Sequence, residues 1–437
     1  MRMKQGTGSA GCGIRRKLRF RGNRNVGVFY LFTLVQSIGR GIWLGNILSL
    51  YIVLVVEKGG GIWNLTPNEL LGIASGITGV ALLAVILPGG IAADRWSREG
   101  VLRIAAVFGA AGLLFIERSS TILHIVGGLF LWGLFQGLSR PAAESLLADS
   151  VPSGLRSAPY ARVHMYMQFG MAGGPFINLL LFLYLGDSWD LDILKQVIFI
   201  GTLFSLISAV LMLFLREKYT LGEESEGYQH VRGSSGASFG GGRLPFIPVL
   251  LISSSFIIGL GAGMTVKFFP VFFRDVYSLK PVGSQLILGF GFLLTGLSSL
   301  IVQKLSLKRG RAQIIVLIQG LAVICLLAMA FYPPLWAMVV LFLLRGALMN
   351  AAQPLSRSIM MDYVPKQNRG FWNSLQTVAW GLFWNASAVL GGFLIGDGNF
   401  ALCFFITAGI YTAGLIPALF LIPLVHHEKS LVSDTAR

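Results

Sequence analysis

Twelve apolar runs, at 26–56, 69–93, 101–116, 122–148, 164–185, 194–215, 245–273, 283–304, 312–331, 335–360, 371–395 and 400–425, take up most of the 437-residue chain. About 20 helical residues cross a bilayer's hydrocarbon core, and nearly every run is that long. The short third run is eked out by Arg103 and Arg118, whose stems let their charges reach the interface. The runs mix Leu, Ile, Phe, Gly and Ala without alternating, so they are not barrel strands. Helices remain, because the bilayer core offers no water to backbone polar groups. Only 12% of residues are charged, against about 25% in soluble domains. An all-α membrane protein with twelve transmembrane helices is expected. "ERSS" at 117–120 separates the third and fourth runs, and "YPP" at 332–334 the ninth and tenth, prolines favouring a break.

Lysine and arginine set the orientation of such helices, being retained on the cytoplasmic side. With the amino terminus inside, and Arg103 and Lys304 counted at inner edges, 25 of the 35 Lys and Arg face the cytoplasm. The outside connections hold Lys58, Arg118, Lys195, Arg274 and Lys280. Both termini of this integral multi-pass protein are therefore expected to be cytoplasmic. The net charge of +16 then belongs to a face that meets the anionic lipid bilayer, and no nucleic-acid partner is expected. The tail at 1–25 holds eight basic residues and no acid. A transit peptide is the alternative, against which stand its scarce serines and lack of amphipathic pattern. Cys12, Cys325 and Cys403 make no CxxC pair, and the five histidines show no ligand spacing, so no disulfide, metal or cofactor is expected. There is no nucleotide-binding stretch and no catalytic cluster within a run, so neither an enzyme nor an ATP-driven pump is expected. "NLTP" at 64–67 is a glycosylation sequon in a short outside loop, disfavoured by its proline.

Residues 216–244 begin charged and end rich in Gly and Ser, the composition of a flexible linker. They divide the chain into a basic tail (1–25), a six-helix bundle (26–215), the linker (216–244), a second six-helix bundle (245–425) and a tail (426–437). The halves contain a repeat. "PAAESLLADSVPSGLR" (141–156) aligns without gaps to "PLSRSIMMDYVPKQNR" (354–369), with Pro, Ser, Asp, Val, Pro and Arg coinciding at an offset of 213. A weaker echo links "GRG" at 39–41 to "GAG" at 261–263. Two pseudo-symmetric six-helix bundles from a duplicated unit are the simplest account, and such folds place their substrate site between the repeats near mid-bilayer.

The connection "GGIAADRWSREGVLR" at 89–103 concentrates charge in a chain otherwise poor in it. It resembles the loop between spans two and three of the major facilitator superfamily, Gly-x-x-x-Asp-Arg-x-Gly-Arg-(Arg/Lys). Gly90, Asp94, Arg95 and Arg98 match; Ser97 and Glu99 depart. The resemblance covers the chain past residue 25. It implies a gating latch in which Asp94 faces the start of span eleven near Phe371–Asn373, where a helix amino terminus favours an anion. Arg98 would pair with Asp149, with Glu99 a competitor for it. These contacts would join the halves on the cytoplasmic side and break when the carrier opens inward. The second half offers only cations in "KLSLKRGR" (304–311), so the latch is expected on one side only. "GMAGGPFIN" at 170–178 is similar to the Gly-Pro stretch of the superfamily's antiporters, with close helix packing as the other reading.

Ionisable residues within spans are expensive and so point to function. Arg40 lies deepest, between glycines with room for a ligand or another helix. Lys267 and Arg345 lie in spans seven and ten, and Arg140 and Glu144 share one face of span four. Cations exceed acids here, so a net positive cavity and an anionic substrate are expected. Arg40, Asn46, Lys267, Arg345, Trp384 and Asn385 are the candidate substrate-binding residues. Gln36, Trp43 and Trp380 are possible neighbours. Arg140 and Glu144 are candidates for coupling, with Arg140–Glu144 pairing as the alternative. The expected function is secondary active transport of a small organic anion by alternating access, alone or against protons or a counter-anion, by a monomer. A drug/proton antiporter and a non-transporting sensor on the same scaffold are the alternatives.

Overall fold

The structure, a computed structural model, describes residues 23–151, 157–221, 246–364 and 369–425. The tails through residue 22 and from 426, and most of the expected linker, lie outside the described residues. Among those described, all regular structure is helical. The first half comprises α1 (Arg24–Trp43), α2 (Asn46–Val55), α3 (Pro67–Arg95), α4 (Arg98–Glu117), α5 (Ile122–Asp149), α6 (Ser157–Leu185) and α7 (Leu191–Met212). The second comprises α8 (Phe246–Val266), α9 (Phe269–Tyr277), α10 (Pro281–Arg309), α11 (Arg311–Met329), α12 (Leu335–Tyr363), α13 (Arg369–Ile395) and α14 (Phe400–Leu421). Pairs α1–α2 and α8–α9 each form one span, giving twelve. Eleven are long and apolar enough to cross a membrane, and α13 supplies the apolar helix Phe383–Ile395.

Local chemistry fixes where these helices start. Thr66 Oγ1 accepts the Glu69 N–H while Glu69 Oε2 accepts the Thr66 N–H at 2.7 Å, with Pro67 in the first turn. This reciprocal cap satisfies two otherwise orphaned donors and occupies the sequon's hydroxyl. Ser97, the departure from the family's loop pattern, accepts the Gly100 N–H at 3.1 Å and caps α4. Beyond "YPP", Tyr332 adopts a left-handed φ of 50° and α12 starts at Leu335.

Helix packing repeats between the halves. In the first, span one packs on spans five and six, span two on four, span three on four and six. In the second, span seven packs on eleven and twelve, eight on ten, nine on ten and twelve. The halves meet where α3 touches α13 and where α6 touches α10, again an equivalent pair. Pro141 and Pro354, the first residues of the repeat, both lie inside helices, α5 and α12.

Spans one and seven are not continuous helices as their apolar runs imply. α1 gives way to α2 at Leu44–Gly45, and α8 to α9 at Lys267–Phe268. Gly45 precedes Lys267 by 222 residues, the offset between "GRG" and "GAG", so both breaks fall at equivalent positions. The second is marked by Pro270 in the first turn of α9, where a missing N–H costs nothing.

The halves are shut at the end of the bundle opposite the chain termini. There, Arg274 on α9 donates to Glu57 at 2.5 Å, Asn46 to Ser284 at 2.9 Å, Trp189 Nε1 to the Leu279 carbonyl at 2.8 Å, and the Val282 N–H to Asp187 at 2.9 Å. A Cβ on Gly72 would run into the Ala388 carbonyl, so α3 and α13 touch backbone to backbone at this end. Toward the terminal end Arg140 and Glu144 of α5 and Arg357 of α12 are exposed although they lie within spans, and Glu144 feels Arg357 across the halves, so the halves leave a cavity around these charges.

Candidate functional site

Four spans bring charge to this cavity. Gly39 and Gly41 flank Arg40 and are filled by helices: a Cβ on Gly39 would lie 2.6 Å from Ser205 Oγ, one on Gly41 3.1 Å from the Gly174 Cα. Spans six and five therefore press against span one and leave Arg40 the remaining face. Gly174 belongs to "GMAGGPFIN", whose glycines thus serve this close approach. Arg40 is half-buried, its Nε lacks a hydrogen-bond partner, and the nearest charge acting on it is another cation, Arg140.

Across the cavity Lys267 occupies the break between α8 and α9. Its Nζ donates to Asn385 Oδ1 at 2.7 Å, while Asn385 Nδ2 donates to the Gly381 carbonyl at 2.9 Å. A neutral amide holds this ammonium and leaves its charge uncancelled. On span four, Arg140 donates to Gln136 at 3.4 Å instead of closing an ion pair with Glu144. Both are exposed to the cavity, and Glu144 lies within electrostatic reach of Arg140 and of Arg357 on α12. Arg357 stands 213 residues after Glu144, so the repeat sets opposite charges facing each other. Arg40, Arg140, Lys267 and Arg357 against Glu144 leave the described cavity net positive.

The remaining candidates separate. Asn46 is buried in the seam that shuts the far end, bonded to Ser284. Arg345 is 5% exposed, with its guanidinium 4.6 Å from the Phe269 ring centre and 5.6 Å from that of Phe342, inside the second half. Trp43 is fully buried and donates to Ser205 at 2.9 Å, a packing residue. Trp384 is half-buried beside Gly263 on α8. The Trp380 side chain lies outside the described residues.

In the connection at 89–103, Arg98 is ion-paired with Asp149. Both groups belong to the first half, so this pair ties loop to span four and does not itself bridge the halves. The Asp94 side chain, with those of Phe371 and Asn373, lies outside the described residues. A Cβ on Gly90 meets nothing within 4 Å, and Arg95 is exposed. Glu99 does not compete for Arg98: it accepts the Glu217 N–H at 2.7 Å and sits 3.7 Å from Arg216. Glu217 in turn accepts the Arg98 N–H at 2.6 Å, and Asn25 grips both the N–H and the carbonyl of Arg216. The first residues of the expected linker are thus bound under the first half. Sequence reasoning passed over Arg311, which stands 213 residues after Arg98, likewise opens a helix, and donates to Ser358 on α12 at 2.6 Å. The repeat offset was the signal that would have found it.

A family model of the Major Facilitator Superfamily matches residues 29–335 and, again, 251–437. A stretch of 143 residues is 31% identical to the 4-hydroxybenzoate transporter PcaK of Pseudomonas aeruginosa, over 32% of this chain and 30% of that protein. The chain therefore matches less than a third of that curated relative's length. Among solved structures, a D-xylose–proton symporter superposes with a TM-score of 0.67 at 17% identity, over 92% of this chain and 97% of that one. A bacterial homologue of the iron transporter ferroportin, in an inward-facing state, gives 0.67 at 14% identity over 91% and 98%. These identities speak to fold alone. With family matches running from residue 29 to 437 over helices packed as two repeated sets, the chain belongs to the Major Facilitator Superfamily.

Proposed function

We propose that this membrane transporter moves a small organic anion by alternating access, driven by a solute gradient, with both termini in the cytoplasm and the described state open inward. The observation that carries this reading is the pairing of Arg40 with Lys267 on equivalent spans, neither of them held by an acid among the described residues. A guanidinium and an ammonium facing a shared cavity attract carboxylate or phosphate and repel cations. The partial likeness to a transporter named for 4-hydroxybenzoate supports an organic anion. The drug/proton antiporter reading lacks the acid in span one that a cationic drug would need. Glu144, between Arg140 and Arg357, is the candidate for proton coupling, and exchange against a counter-anion needs no such group.

The test is uptake of labelled organic anions into proteoliposomes. Arg40→Ala is expected to abolish uptake while the protein still reaches the membrane and melts as wild type. Wild-type uptake in that variant overturns the reading, and binding without flux in the parent protein favours the sensor.

A further inference from the structure

Arg345 raises a question that the cavity does not answer. The second half, residues 246–425, contains three acids, Asp275, Asp362 and Asp397, all near helix ends. Asp362 is 17 residues along α12 from Arg345, or about 25 Å at 1.5 Å per residue. Asp275 is engaged with Arg274 at 2.6 Å. A guanidinium stays protonated in proteins, so Arg345 remains charged at hydrocarbon depth with no carboxylate beside it, which is costly. The rings of Phe269 and Phe342 offset part of this through their faces.

Around the same group stand donors without acceptors. Arg345 Nε, Tyr411 Oη and Thr265 Oγ1 are all buried and lack hydrogen-bond partners of ordinary geometry. Tyr411 is 1% and Thr265 0% exposed, and the Tyr411 hydroxyl lies next to both Thr265 and Arg345. Three elements contribute, α8, α12 and α14. Buried polar groups are normally satisfied; here a positive charge and two hydroxyl donors share one locus, and what would satisfy all of them is an acceptor carrying negative charge. We propose that Arg345, Tyr411 and Thr265 hold a resident halide ion, chloride under ordinary conditions. A monatomic anion suits a place so enclosed, and this site is separate from the Arg40–Lys267 cavity.

The experiment uses the full-length purified protein, exchanged into sodium gluconate and without organic substrate. Chloride or bromide is titrated at constant ionic strength while thermal unfolding is followed. The midpoint is expected to rise saturably with either halide. Arg345→Gln is expected to abolish the rise. Tyr411→Phe and Thr265→Val, which keep side-chain volume, are expected to weaken the apparent halide affinity about tenfold each, as for one lost bond to a charged group. Lys267→Gln is expected to retain the halide response. No halide-specific rise means the donors are merely hydrated and overturns the proposal. So does a rise untouched by Tyr411→Phe and Thr265→Val, or one lost in Lys267→Gln, which places the halide in the cavity. If Arg345→Gln does not fold, the two volume-keeping variants decide. None of these results depends on what the protein transports.

Discussion

In the first half, cations meet acids: Arg98 pairs with Asp149, Glu99 reaches Arg103 and Arg216, and Arg140 lies within reach of Glu144. In the second half, two cations rest on neutral groups. Lys267 leans on the Asn385 amide, and Arg345 stacks over two rings. Yet the main helix contacts within one half have their counterparts in the other. The fold is thus carried by the apolar pattern and by small residues at close approaches, which tolerate divergent polar chemistry around them. The divergence has a consequence for binding. A cation already paired offers little to a substrate, so under the proposed function the grip on an anion falls to the cations without an acid, Arg40 in the first half and Lys267 in the second.

Supplying the missing acid is the largest perturbation of that contrast. In Asn385→Asp a carboxylate replaces the amide whose oxygen accepts from Lys267 at 2.7 Å, giving the second half the kind of pair the first half has. Anion uptake in proteoliposomes is expected to fall about 100-fold, the loss of one charge-assisted contact of roughly 3 kcal/mol. Melting is expected to stay at or above wild type, since the ammonium gains a partner. Uptake within about threefold of wild type, a difference well under 1 kcal/mol, would mean that Lys267 does not hold the substrate.

Legibility in the sequence followed the kind of feature and not the half. Twelve spans and the repeat were readable because apolar length and a fixed offset survive in the letters. Arg40, Lys267 and Asn385 stood out as candidates because charge and amide within a span are conspicuous, and the contact between Lys267 and Asn385 joins two of them. Asn46 and Arg345 were not placed, since depth along a helix does not say which face a residue takes: one lies in the far-end seam, the other within the second half. The breaks in spans one and seven hid in unbroken apolar runs, with Gly45 and Pro270 as their faint marks. Residues 216–221 read as linker because their partners, Asn23, Asn25, Glu99 and the Asp149 carbonyl, are remote in sequence.

The ion pair of the first half is the next lever. Arg98 and Asp149 are 24% and 33% exposed, so solvent weakens the pair. Asp149→Asn is expected to cost about 1 kcal/mol of stability and to slow turnover at saturating substrate severalfold, with substrate affinity unchanged, because the loop at 89–103 lies outside the cavity. Thermal melting and turnover in this variant measure what the pair contributes. Turnover at the wild-type rate would show that the pair takes no part in the transport cycle.

The smallest effect is expected where the halves meet. Arg274 bridges to Glu57, but it also holds Asp275 at 2.6 Å, and Glu57 is 40% exposed. Glu57→Gln therefore leaves the arginine with an acid and removes about 0.5 kcal/mol of closure at most, roughly a twofold change in the open population of the far end. A cysteine at Val282, in protein lacking Cys12, Cys325 and Cys403, reports this through its rate of labelling by an impermeant maleimide. The rate should rise about twofold, and the rise should shrink in high salt as screening takes over. Gly72→Val makes the comparison decisive, since its side chain drives into the Ala388 backbone. A large acceleration there beside a small one in Glu57→Gln identifies packing, not charge, as what keeps this end shut. That outcome fits a seam whose two sides come from halves with matched helices and unmatched charges.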